Sequence, residues 1–169
     1  MANVKFANAA SKYQDDTARH DLIHYMTQHK KTPNHIVGFS HGDISTAADL
    51  MTQTAQSFGK DQGVRIYHFI ITFAPGDVNG IEYILYAANE ITHLLGQRHE
   101  TAYAVHEDTQ FPHIHFAFNP VSFVDGHRYH GGKEEFKELM DMLRGVMRFI
   151  GVYRFYRVKH LVNEENGYA

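Results

Sequence analysis

The segment His113-Ile114-His115-Phe116-Ala117-Phe118-Asn119 alternates without a break between two kinds of side chain. In an extended chain successive side chains point to opposite faces, so Ile114, Phe116 and Phe118 share one face and His113, His115, Ala117 and Asn119 share the other. The first face reads as core. The second is polar and carries two imidazoles about 7 Å apart, judging by the rise of a strand. That spacing lets both rings converge on one cation.

Other periodicities place elements around this strand. Residues 101–106 and 112–119 read as two strands joined by a short loop, which favours antiparallel neighbours. Residues 64–73 form another strand, with Tyr67, Phe69, Ile71 and Phe73 on one face. Leu50, Met51, Ala55 and Phe58 make a helical stripe over 45–58, which Gly59 stops. Ile81, Ile84, Leu85, Ala88, Ile91 and Leu95 make a second, with Asp77 as its expected N-cap and Gly96 closing it. The clearest helix spans 133–150, with Phe136, Leu139, Met140, Leu143, Val146, Met147 and Ile150 on one face. Residues 152–158 are expected to add a last strand. A helix over 17–30 and a strand at 35–40 complete the reading. Long helices between strands, with some direct strand-to-strand turns, predict an α+β fold, an α/β sandwich whose central antiparallel sheet has helices packed on it. All 169 residues are expected to form a single domain.

Composition limits the chemistry. The chain has no cysteine, which excludes disulfides, thiolate metal sites and cysteine nucleophiles and suits a cytoplasmic protein. No apolar run approaches the roughly 18 residues of a membrane span, and the N-terminus lacks a secretory pattern. The net charge of −3 argues weakly against nucleic-acid binding. The distribution softens this, because Arg144, Arg148, Arg154, Arg157 and Lys159 cluster late in the chain. Such a strip either binds phosphates or is a solvated helix face.

His106 supplies a third imidazole, on a strand face shared with the small residues Ala102 and Ala104. Three histidines leave coordination positions open, as catalytic metal sites require. Asp108 is placed to accept a hydrogen bond from an imidazole or from a nucleophile. A bare His-x-His is common by chance; His106, Asp108, Pro112 and Asn119 at fixed offsets are what make the pattern specific.

The stretch from His106 to Asn119 resembles the third motif of conjugative and mobilisation relaxases, His-x-Asp-x-x-x-Pro-His-x-His-x-x-x-Asn, at every specified residue. The His-hydrophobe-His core is shared with the wider HUH endonuclease superfamily. The segment from Tyr67 to Gly76 is similar to the family's second motif through His68 and Phe73. Thr72 stands where that motif carries a DNA-holding serine. Residues 21–32 resemble the first motif, in which a tyrosine precedes a Lys-Thr pair, here Tyr25 with Lys31 and Thr32. The cationic neighbours His24, His29, Lys30 and Lys31 favour the phenolate of Tyr25. Tyr13 is a second upstream candidate, whereas Tyr67, Tyr83, Tyr86 and Tyr103 read as packing residues.

The resemblance implies a site- and strand-specific DNA nicking enzyme. His106, His113 and His115 would hold magnesium or manganese. Tyr25 would form a 5′-phosphotyrosine, with Asp108 in a catalytic role. Thr72, Asn119, Lys31 and the arginine strip would contact DNA. Implied partners are single-stranded DNA at an origin of transfer, relaxosome accessory proteins and a coupling protein, with no membrane involved. The alternatives are a rolling-circle replication initiator or single-tyrosine transposase, which would use Tyr153 or Tyr156, and a non-catalytic DNA-binding protein.

Overall fold

A computed structural model describes residues 1–8 and 12–158 of the chain. The alternating segment forms strand β5 (His113–Phe118), and Thr101–His106 forms its antiparallel neighbour β4. Four further strands join them: β1 (Ala2–Phe6), β2 (Val37–Phe39), β3 (Tyr67–Thr72) and β6 (Phe155–Arg157). Their order across the single sheet is β2-β4-β5-β3-β1-β6.

Helices cover both faces, and each is amphipathic in the sense its face requires. The helices are α1 (Ala18–Met26), α2 (Ala47–Ser57), α3 (Ile81–Leu95) and α4 (Lys133–Phe149). Helices α3 and α4 lay Ile84, Ile91, Leu139, Leu143 and Met147 on Phe69, Ile71, Ile114, Phe116 and Phe118. This is the main core, and β5 contributes to it the face read as apolar. On the opposite side α1 and α2 bring Leu22, Ile23, Met26 and Met51 against Ala102, Ala104 and Ala117. Small residues on that face let the helices approach closely, which brings α1 next to the histidines.

The sheet differs from the expected one in its far edge. Four of its five pairings are antiparallel, but β1 and β6 run parallel, and β1 was not anticipated. Its sequence, Ala-Asn-Val-Lys-Phe, is too short to show a periodicity by itself, and pairing with β3 decides its conformation. Asp77 is not the N-cap of α3. Its carboxylate turns back to accept the Ala74 N–H at 2.7 Å, and the helix begins three residues after Val78, behind Gly80. The last strand covers only Phe155–Arg157 of the expected 152–158, the segment in register with β1, and the Val158 N–H closes it on the Val4 carbonyl at 2.9 Å. Among the described residues no helix is long and apolar enough to cross a membrane.

Asn119 locks the end of β5. Its amide nitrogen donates to the Met51 carbonyl at 3.1 Å and to Glu100 at 3.0 Å, and its oxygen accepts the Val121 N–H at 3.2 Å. Glu100 also accepts the Thr54 hydroxyl, so one buried amide ties β4, β5 and α2 together. Asn119→Ala leaves a buried carboxylate and a carbonyl short of donors, which costs about 1–3 kcal/mol. Urea unfolding checks this; an unchanged midpoint would remove Asn119 from the scaffold.

Candidate active site

Register brings the three histidines together. In the antiparallel β4–β5 ladder His106 stands directly opposite His113, and Ala104 opposite His115. Paired residues share a face. His106, His113 and His115 therefore project together towards α1, and the methyl group of Ala104 leaves room for the rings. Ring centroids are 4.1 Å apart for His106 and His115 and 5.1 Å for each of the other two pairs.

Each ring is oriented through one nitrogen. His106 Nε2 donates to the carbonyl of Met26, the last residue of α1, at 2.8 Å. The helix has no internal donor for that carbonyl. His113 Nδ1 donates to the Phe111 carbonyl at 2.9 Å. His115 Nδ1 meets His68 Nε2 at 2.8 Å. The two carbonyl contacts make Nδ1 of His106 and Nε2 of His113 the inward lone pairs, and the contact with His68 leaves Nε2 of His115 facing inward. One nitrogen from each of the three rings lies within 4.8 Å of the others. His106 Nδ1 and His115 Nε2 are buried and meet no hydrogen-bond partner among the described residues. Neutral imidazoles with convergent lone pairs fit a cation, and they fit little else in a buried setting.

Burial favours the neutral form of His106, His68 and His115. It pushes the pKa of His106 down to about 4, with His113 and Lys31 adding to the shift against the Met26 carbonyl and Asp108. It lowers His68 to about 3, reinforced by Lys12, His106 and Lys5. His115 is held well below the usual imidazole range by burial first and by His68, His106 and His113 after it.

Tyr25, on the last turn of α1, packs edge-on against the triad. Its ring centroid lies 5.7 Å from that of His115 and 6.1 Å from that of His106. The Lys31 ammonium sits 4.8 Å from the centre of the Tyr25 ring, and Asp108 reaches the same ammonium at 3.9 Å. The structure thus brings Tyr25, Lys31, Asp108 and the histidines into one cluster, with Asp108 against Lys31 rather than against an imidazole. Thr32 is buried and its hydroxyl accepts the Ile36 N–H at 2.9 Å, which shapes the loop that presents Lys31. Thr72 pairs with His113 and shares its face.

Other expected site residues lie elsewhere. Asn119, just past the end of β5, is buried six residues from His113, on the order of 20 Å away by strand rise, in the network described above. Arg144 and Arg148 are on the outer surface of α4, which covers the opposite face of the sheet; Arg144 pairs with Asp141 at 3.5 Å. Arg157 lies over the rings of Phe136 and Phe6, on that same side, and Arg154 is exposed just before β6. Lys159 lies outside the described residues. Sequence reasoning missed Lys5 and Lys12, whose charge reaches His68, because their proximity depends on the unanticipated β1.

Comparison with known proteins places the chain in a family. The family described as "Relaxase: MobA/VirD2-like, nuclease domain" matches residues 19–151. The chain belongs to this relaxase nuclease-domain family. Two proteins of Staphylococcus aureus named "Protein rlx" are similar to it, one 30% identical over 97 residues and the other 27% identical over 93. Each match takes in 55% of this chain but 29% of the relative, so the chain spans well under half the length of those relatives.

The depressed imidazoles give the metal-free protein a defined pH response. The unfolded chain takes up protons on these groups below about pH 6.5, whereas folded His106 and His68 do so only near about 4 and about 3. Their contribution is fully present above the unfolded value and is lost as pH falls towards the folded ones. Each buried group withdraws up to ~1.4 kcal/mol per pH unit across that window. Thermal unfolding in chelator should show a midpoint that drops between about pH 7 and about pH 5, and His68→Gln should flatten the drop.

Proposed function

We propose that this chain nicks one strand of DNA at an origin of transfer and holds the new 5′ end through Tyr25. The observation that carries the reading is the packing of an upstream tyrosine, on α1, against a buried three-histidine cluster. His106, His113 and His115 hold a divalent cation, magnesium or manganese in use, since imidazoles alone do not select the metal. Bound there, the ion supplies a counter-charge for oxygens of the scissile phosphate.

The chain's own groups do the rest. The Tyr25 oxygen attacks the phosphorus in line, a tyrosyl O–P bond forms, and the P–O bond to the 3′ oxygen breaks. The phenolic proton is released and the departing 3′ oxygen gains one, so the balance is neutral. One phosphodiester replaces another, which makes the step reversible and permits rejoining after transfer. Lys31, paired with Asp108, keeps positive charge beside the phenol ring, where it can offset the charge of the incoming phosphate. Thr72, paired with His113 across the sheet, supplies a hydroxyl for a neighbouring phosphate.

Distance along the sheet favours this reading over the replication-initiator alternative. Tyr156 shares the histidine face through the row His113, Thr72, Asn3 and Tyr156, but three strand spacings, about 14 Å, lie between it and His113. Tyr153 is exposed beyond it. The same placement argues against a merely binding role, because a binding surface gains nothing from three buried convergent imidazoles. Accessory proteins of a relaxosome and a coupling protein are the partners this function calls for.

Incubation with single-stranded origin DNA and Mn²⁺ should yield a covalent adduct that peptide mapping places at Tyr25. Tyr25→Phe removes the attacking oxygen, so the adduct should vanish while folding and metal affinity persist. The double substitution His113→Ala and His115→Ala should abolish cleavage and metal binding together. An adduct at Tyr153 or Tyr156, or cleavage that survives the double substitution, contradicts the proposal.

A further inference from the structure

We infer that Tyr13 and His68 form a positioning relay behind His115, fixing the proton on its Nδ1 so that Nε2 is presented to the cation; this rests on the reading of the triad as a metal site. The contacts run in one line. His115 Nδ1 lies 2.8 Å from His68 Nε2, and His68 Nδ1 lies 2.9 Å from the Tyr13 hydroxyl. The two imidazoles are nearly parallel, 22° between planes with centroids 5.1 Å apart. His68 is buried, and it sits on β3 opposite Ala117, whose small side chain lets the ring lean towards His115.

Hydrogen-bond accounting then sets the direction of the line. An imidazole that gives Nε2 to a cation while neutral keeps its one proton on Nδ1. His115 Nδ1–H must therefore donate to His68 Nε2. His68, neutral in its burial, then keeps its own proton on Nδ1 and donates to the Tyr13 oxygen. The opposite polarity, with Tyr13 donating inward, puts a proton on His115 Nε2 and closes the site to metal. Tyr13 thus acts through its acceptor oxygen, two bonds removed from the ligand, and is a positioning residue.

The backbone is held to serve this geometry. Tyr13 adopts φ 63°, in the left-handed region that non-glycine residues enter at a cost of about 1 kcal/mol or more. Its carbonyl accepts the Arg65 N–H at 2.8 Å, and the His68 N–H is donated to Asn8 at 2.8 Å. Both ends of the relay are therefore anchored from outside it. Partners that orient a ligand imidazole commonly contribute about ten- to a hundredfold in metal affinity.

The test measures Mn²⁺ affinity of the whole chain by electron paramagnetic resonance of the free ion. His68→Leu removes the acceptor and should weaken binding about ten- to a hundredfold. His68→Gln keeps an acceptor oxygen for the His115 Nδ1–H and should recover most of that loss. Tyr13→Phe should weaken binding by about tenfold or less and, at saturating Mn²⁺, still give the adduct at Tyr25. Long-range ¹H–¹⁵N spectra with Mg²⁺ should show His115 protonated on Nδ1, and a mixed population in His68→Leu. Should His68→Leu fail to fold, His68→Gln, Tyr13→Phe and the wild-type spectrum still decide. Wild-type affinity in all three variants, or a His115 proton on Nε2 in the Mg²⁺ form, overturns the relay while leaving the metal site standing. An adduct at Tyr13 overturns it by making that residue the nucleophile. Absence of Mn²⁺ binding in the wild type, by contrast, sinks the metal reading itself and the relay with it.

Discussion

The pairing of His106 with His113 across β4 and β5 is the constraint on which the rest of the site depends. Side chains alternate with period two, so a slip of one residue would send His106 into the apolar layer and leave two histidines facing α1. Two features hold the register. Val105 and Ile114 face each other in the main core, and a slip would replace one of them with a polar group. At the other end the Asn119 N–H donates to the Glu100 carbonyl at 2.9 Å, and its side chain is fixed to the Glu100 carboxylate. The histidine end of the ladder is thus aligned by hydrogen bonds at the opposite end.

Small side chains convert that register into a pocket. Ala102, Ala104 and Ala117 form the floor beneath α1 and α2. Larger residues there would lift α1 away from the sheet. Its last turn then could not supply both the Tyr25 ring and the Met26 carbonyl that orients His106. One helix end therefore places the candidate nucleophile and fixes one candidate ligand. Lys31 follows five residues later, brought back over Tyr25 by the buried Thr32 hydroxyl.

Much of this could be read from residues. The two-sided character of β5, the antiparallel β4 beside it, the helical stripes of α3 and α4, and the convergence of three histidines all follow from periodicity and a short loop. What stayed hidden depends on long-range partners. Strand β1 carries too little pattern to declare itself, yet it brings Lys5 to the histidine face. Asn119 sits on the polar face of its strand, and only the fold shows that this part of the face is covered by α2 and that the amide is spent on Met51 and Glu100. The arginines after Arg144 cluster in sequence, but the amphipathic stripe of α4 turns them outward on the far side of the sheet. A charge run shows which face of a helix is wet, not which face of the molecule that helix covers.

The same features that make the cluster suited to a cation make it costly without one. Buried nitrogens of His106 and His115 have no hydrogen-bond partner among the described residues, and each such group costs about 1–3 kcal/mol. Protonation offers no relief, since a charge on any ring would be buried beside two others. The fold carries this load through apolar packing on the other face of the same strands, where Phe69 stacks on Phe116 and meets Phe118 edge to face. Under the proposed reading, a cation that binds only the folded chain returns the cost by mass action, about 2.7 kcal/mol at a hundredfold excess over its dissociation constant. The site is then a cost to the metal-free protein and a gain once loaded. That difference explains why its surroundings are pinned so heavily, by Asn119 and Glu100 at one end and by Thr32, the Met26 carbonyl and His68 at the other. A preformed, rigid set of lone pairs loses little entropy on capture, whereas a mobile set would lose most of the affinity the imidazoles supply.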